Sequence, residues 1–421
     1  MAGTPPSPAF PPVGRAWPPT LLLALVAAAG CQSDSSSAPN PFTGDLWTLS
    51  GPEVTIGSVD DPEYVFGPVA ALVPGPDGFL YSLHWQEGSI RRWSADGTPS
   101  GSVGREGEGP GEFRRPSEMG FFGDSLWVWD LDGYHVTYFD LGGKHLGRVS
   151  PEVDFGDFGG PEGMPPRPER PFRDGTFLGI EPTPADWVAT GEMTEAAFTH
   201  MDAEGATLGT IWMHPYEPRD GLALLREGGG GFFGPQAFGD GAAYAVSDEG
   251  LLVTERRAWT GEGEAAFTLT RIGLAGDTIM SVRVPYTPAP LATDRIDSAV
   301  VAMTDDMYEF MSARQPGLAR AALEARFRDA TYKPAYVPPV RETMLAAAGN
   351  IWVRRFDPVE LDTGQAFNEW WIMDADGAPL ARALTPAGLQ VRHIGADFVW
   401  GTEQDEFEVD YIVRYRLVKA S

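Results

Sequence analysis

Cysteine occurs once in 421 residues, at Cys31. A single thiol forms no intramolecular disulfide and cannot build a multi-cysteine metal site, so the fold must be held by packing and hydrogen bonds. The six histidines stand isolated, without HExxH or any other paired spacing, and no GxSxG elbow occurs. Zinc hydrolysis and serine-hydrolase chemistry therefore have no motif here. Positive charge is also scarce. Lysine and arginine total 31 against 59 acidic residues, a formal charge of −28. Such a field repels a phosphate backbone and excludes nucleic acid as a partner, and its plainest use is a solvated surface. Beyond residue 45 only Asn350 and Asn368 supply asparagine, a common oxygen ligand in calcium sites.

What is present is enough for a core, with 43% hydrophobic and 11% aromatic residues. The apolar run "TLLLALVAAAG" (Thr20 to Gly30) has signal-peptide length and is short for a membrane span, so residues 1–30 are expected to be a signal peptide. Ala28 to Cys31, "AAGC", resembles the bacterial lipobox. The resemblance implies acylation of Cys31, a lipid anchor in a bacterial membrane and export from the cytoplasm. The alternative is an ordinary secretory signal with Cys31 incidental. Residues 31–45 include "QSDSSSAPNP", poor in apolar side chains, and are expected to be a flexible tether. Gln32 after the cysteine resembles the outer-membrane sorting pattern.

Downstream, a polar turn and a short apolar run recur six times: "PDGFLYSL" (Pro76), "GDSLWVWD" (Gly123), "RDGTFLGI" (Arg173), "GDGAAYAV" (Gly239), "AGNIWVRR" (Ala348) and "GADFVWGT" (Gly395). A second turn follows most of them, as in "SADG" at Ser94, "DLGG" at Asp140, "DAEG" at Asp202 and "DADG" at Asp374. Strand-forming residues flank each, so every unit reads as an antiparallel meander that cannot bury both faces alone. Packed radially, they give an all-β six-bladed β-propeller over residues 46–421. The last unit, Leu389 to Val418, offers three strands. "PEVTIGSV" (Pro52 to Val59) is expected to supply the fourth and close the ring.

The second unit, Gly109 to Gly143, resembles the NHL repeat family through Trp127, Val128, Asp130, Val136, Phe139 and Asp140, with Gly133-Tyr134-His135 where that family has Asn-x-Arg. As a whole the chain resembles the six-bladed propeller lipoproteins of envelope-rich bacteria. The stretch "GREGEGPGEFRRP" (Gly104 to Pro116) superficially suggests a dinucleotide loop, but a strand follows where that motif needs a helix, so it is expected to be a blade-to-blade connection. The glycines at Gly228 to Gly231 read the same way. Extra length falls in such connections at Pro151 to Pro171, Pro215 to Gly231 and Leu291 to Pro334, all emerging on one face. The last is expected to be helical, with Ile296, Val300, Met303, Met307 and Phe310 on one stripe and Leu318, Ala322 and Phe327 on a second helix. It either packs against the propeller or covers the central opening.

Near the end of each second strand stand His84, Asp130, Glu181, Ser247, Arg355 and Thr402, with Glu403 adjacent. This polar ring would bind a small ligand or a peptide, or line a hydrated channel. Gluconolactonases and paraoxonases are propeller hydrolases with a channel Ca²⁺, and a carboxylate-only version would use Asp130, Glu181 and Glu403. The leading expectation is instead an envelope-anchored binding or scaffold protein without cofactor, recognising a peptide, glycan or envelope protein on the insertion-bearing face. A Ca-dependent hydrolase or lyase at the channel is the alternative.

Overall fold

The computed structural model describes residues 42, 44–152, 165–184, 188, 191–225, 231–315, 317–360 and 365–419. The expectations for the signal peptide, Cys31, nearly all of the tether, residues 153–164 and Gly228 to Gly230 lie outside them.

The turn signals act through identifiable bonds. Asp140, Asp202 and Asp374 each accept the backbone N–H four residues on at 2.8 Å, while Gly143, Gly205 and Gly377 take the positive φ the turn requires. The flanking strands then pair antiparallel. Four separate four-stranded meanders result, spanning Ala71–Val103, Pro116–Val149, Arg167–Pro215 and Ala243–Pro285. The strands within Val340–Pro386 and Gln390–Val418 belong to one eight-stranded sheet instead. The N-terminal strand Asp45–Ile56 joins its halves: Asp45 to Thr48 run parallel to Ala381 to Leu384, then Thr48 to Ile56 pair antiparallel with Val418 to Ile412. Closure by the N-terminal strand thus occurs as expected, but the strand starts earlier and serves two meanders rather than one. A register shift between Ser50 and Val54 lets it cross from one to the other.

The arrangement is propeller-like, because apolar layers lie between successive meanders. Tyr81 and Leu83 pack on Met119 and Val128; Trp127 and Trp129 face Phe177 and Met201; Leu178 and Phe198 meet Leu251 and Val253. Along one strand, Trp371 turns to Leu252 and Phe267 while its neighbour Trp370 turns to Leu389 and Val391. Alternation with period two thus lets adjacent tryptophans fill opposite wedges. The ring returns to its start where Ile56, Trp400 and Ile412 pack on Leu72, Leu80 and Trp93.

Gly104 to Pro116 is a connection between the first two meanders. It carries a small parallel pairing of Arg105–Glu106 with Glu112–Phe113, and the Glu112 carboxylate accepts the Gly109 N–H at 2.8 Å. Gly104 is required here: a Cβ would lie 2.1 Å from the Phe113 ring. The Leu291 to Pro334 insertion forms helices α1, Thr293–Arg314, and α2, Arg320–Ala330. Their inward residues are Val300, Met303, Met311, Leu323 and Phe327, whereas Phe310 is 40% exposed. The expected stripe is therefore rotated at its end by one residue, with Met311 replacing Phe310 and Leu323 replacing the exposed Ala322. Phe327 meets Phe232 of a hairpin formed by Gly221–Leu225 and Gly231–Pro235, and Gln236 donates to Ala330 O at 3.0 Å and accepts from Tyr332 N at 2.8 Å.

Candidate functional site in the axial channel and its rim

The innermost strand of each meander pairs with its second strand, and the register fixes which residues share an end. Asp130 lies opposite Pro116, Arg355 opposite Val340 and Thr402 opposite Gln390, while His84 and Glu181 sit one residue past Leu83↔Ala71 and Ile180↔Arg167. All five mark the end where the innermost strand begins. Ser247 does not. It ends the innermost strand Ala243–Ser247 and pairs with Gly250 at the other end of the sheet. "SDEG" is the tight turn in this meander, so the run beginning at Ala243 is the first strand and Glu255 holds the corresponding place.

Most of these ring residues are engaged by neighbouring loops and strands. The fully buried Asp130 carboxylate accepts N–H groups of Arg114 at 2.7 Å, Arg115 at 3.1 Å and Asp132 at 3.1 Å. Glu181 accepts the Ala197 N–H at 3.0 Å, and Glu403 the Tyr415 hydroxyl at 2.8 Å. Arg355 donates to Pro339 O and lies 4.2 Å over the Trp371 ring, with burial lowering its pKa to about 10. His84 is enclosed between Ser82 Oγ at 2.8 Å and Gly67 O at 3.3 Å, and burial depresses its pKa to about 4. Thr402 is buried. Among the described residues no three His, Cys, Asp or Glu side chains gather as a metal site. The carboxylate set Asp130, Glu181 and Glu403 is therefore not brought together.

The innermost strands carry a further feature that the sequence does not signal. In four of them the register slips at the same point: between Pro116 and Glu118, Pro168 and Arg170, Val340 and Glu342, and Val391 and His393. The extra residues are Ser117, Glu169, Arg341 and Arg392. A bulge re-aims the side chain it carries, which alternation alone does not reveal. Glu118 pairs with Arg170 at 2.8 Å, yet its side chain is 39% exposed while burial still raises its carboxyl. Glu169 is pushed up to about 7 by burial and then by the Glu118 charge. Tyr244, 40% exposed, is raised by burial and by Glu169, Tyr216 and Glu118. On other strands Arg341 and Arg392 are both lowered by burial, and both lie in the field of Glu342.

A second concavity lies at the rim, a groove of about 610 Å³ lined by Val59, Pro62, Val65, Phe66, Glu87 and Arg91. Beside it the turn Asp405 to Asp410 leaves Phe407 76% exposed. Tyr411 connects the two, bonding Asp405 and touching Gly57. Asp306 of α1 feels the charge of Glu408 in that turn.

The chain matches no family model, and no curated protein matches it. Among solved structures it is similar to a DUF4221 family member from Bacteroides vulgatus, with TM-score 0.44 and 10% identity over 90% of this chain and 98% of that one. It is also similar to virginiamycin B lyase from Staphylococcus aureus, with TM-score 0.36 and 10% identity over 88% and 100%. A third is the calcium-binding regucalcin from Agrobacterium tumefaciens, with TM-score 0.35 and 10% identity over 89% and 97%. None of these likenesses carries an activity to this chain.

Proposed function

We propose that this chain is an exported binding protein, tethered through a lipid on Cys31 to a bacterial membrane of the envelope, whose insertion-bearing face recognises a cationic segment of a peptide or protein. Its scaffold is a six-bladed propeller, counting each half of the eight-stranded sheet as a blade and the second blade as NHL-like. One observation carries the recognition reading. Exposed Val59 and Val65 line a groove with Asp60, Glu87 and Arg91; Asp61 and Glu63 lie in the same segment, and the turn Asp405 to Asp410, where exposed Phe407 stands between Glu406 and Glu408, is joined to it through Tyr411. An apolar patch within a negative rim fits a partner with apolar anchors and Lys or Arg flanks. A glycan platform is less favoured, since Trp127, Trp129, Trp370 and Trp371 are all spent between sheets. In this reading His84, Asp130, Glu181, Arg355, Thr402 and Glu403 shape the rim by fixing its loops.

The test is fluorescence anisotropy with a labelled Leu/Lys amphipathic peptide and its Leu/Glu counterpart. The Lys peptide is expected to bind, with affinity falling as salt rises and on Phe407→Ser or Val65→Ser. Equal binding of the Glu peptide, or indifference to both substitutions, overturns the proposal. Separately, Cys31→Ser is expected to move the protein from the membrane fraction to the soluble one.

A further inference from the structure

The channel is divided by charge. On the second and third meanders Glu118 is neutralised by Arg170, but no hydrogen bond or ion pair among the described residues engages the Glu169 carboxylate; its charged neighbours are Glu118 and Arg167. On the fifth and sixth, Glu342 is answered by Arg354 at 3.3 Å, leaving two guanidinia over. Arg341 donates to Ala237 O at 3.1 Å and lies over Phe356, and Arg392 donates to Gln390 Oε1 at 3.0 Å, with its Nε buried and unbonded. Among the described residues neither meets a carboxylate within ion-pair distance. In a ring of six, the second meander stands across the axis from the fifth and the third from the sixth. Glu169 on the third thus stands across from Arg392 on the sixth, with Arg341 on the neighbouring fifth.

A partly buried charge without an ion-pair partner is costly; Glu169 and Arg392 are half-buried, Arg341 is exposed, and the same bulge places all three at the same level of the ring. In a chain of net charge −28, the surrounding field would not recruit an anion to this spot. A local guanidinium pair can, by bidentate bonding to a carboxylate. We infer that the axial channel is a binding site for a small zwitterion, a short peptide held with its terminal carboxylate between Arg341 and Arg392 and its terminal ammonium at Glu169. Tyr244, which feels the Glu169 charge, flanks the ammonium end.

The test is calorimetry on the propeller with di-, tri- and tetra-alanine, each compared with its C-terminal amide and its N-acetyl form. At least one free peptide is expected to bind at millimolar concentration or better, and either blocked form to bind roughly tenfold more weakly, the loss of one charge-assisted contact. Arg392→Met and Arg341→Met should each weaken the free peptide by a similar factor while leaving the amide unchanged. Glu169→Gln should weaken the free peptide but not the N-acetyl form, and remove a rise in affinity between pH 6 and 8 that accompanies ionisation of Glu169 among Glu118, Arg167, Arg170 and Tyr244. Thermal melts identify any variant that fails to fold, in which case the blocked peptides on the unaltered protein decide. No heat with any free peptide, or equal affinity for free and blocked forms, overturns the inference. Phe407→Ser should leave this binding intact, which separates it from recognition at the rim.

Discussion

At the scale of single residues, polar groups near the axis serve two ends, and the sequence distinguishes them poorly. Asp130 was conspicuous as a polar residue closing an apolar strand, yet its oxygens are taken by three backbone N–H groups. Replacing it by Ala leaves those donors without an acceptor, and a loss of roughly 3 kcal/mol in urea unfolding is expected. His84 and His393 are held neutral by burial, with pKa about 4 against an ordinary 6.5. Unfolding lets both take up protons, so their contribution is complete above pH 6.5 and lost as pH falls toward 4. Thermal midpoints should fall over that window, and less steeply in His393→Phe. Glu169 has the opposite sign. Its carboxyl is raised from 4.5 to about 7, so its contribution is complete below pH 4.5 and lost as pH rises toward 7, and Glu169→Gln should raise the melting temperature at pH 8 but not at pH 4. Glu169, Arg341 and Arg392 were not legible beforehand because each depends on one inserted residue, which flips the side chain relative to simple alternation.

At the scale of elements, the turns were readable because Asp and Gly at fixed spacing have one economical geometry. The Ala243 meander shows the limit. "GDG" and "SDEG" offer two turns close together, and only pairing decides which strand is innermost. The helices were legible from their periodicity, but the last inward residue depended on the partner surface supplied by the Gly221–Pro235 hairpin. Gln236 ties that hairpin to the end of α2, so Gln236→Leu should speed hydrogen exchange across α1 and α2 while the sheets remain protected. The N-terminal strand is a stronger constraint. Ile56 is fully buried against Leu72 and Trp93, and Ile56→Ala should cost roughly 3 kcal/mol in chemical denaturation.

At the scale of the whole molecule, the acidic surface and the divided channel act in opposite senses on an approaching ligand. Long-range attraction draws cations to the rim and weakens with ionic strength, whereas contacts inside the channel are short-ranged and less screened. Raising salt should therefore abolish the rim association well before it affects peptide in the channel, a separation that one titration series can measure. No helix among the described residues is long and apolar enough to cross a membrane. The seam at Asp45–Ile56 adds a constraint in time. Glu53 finds Arg416 across 363 positions, so the last pairing is fastened between the most widely separated stretches of described chain. Until synthesis has passed that point, the assembled portion is an arc with a raw edge. Truncated products lacking it would expose that edge, a built-in mark by which an incomplete molecule differs from a finished one.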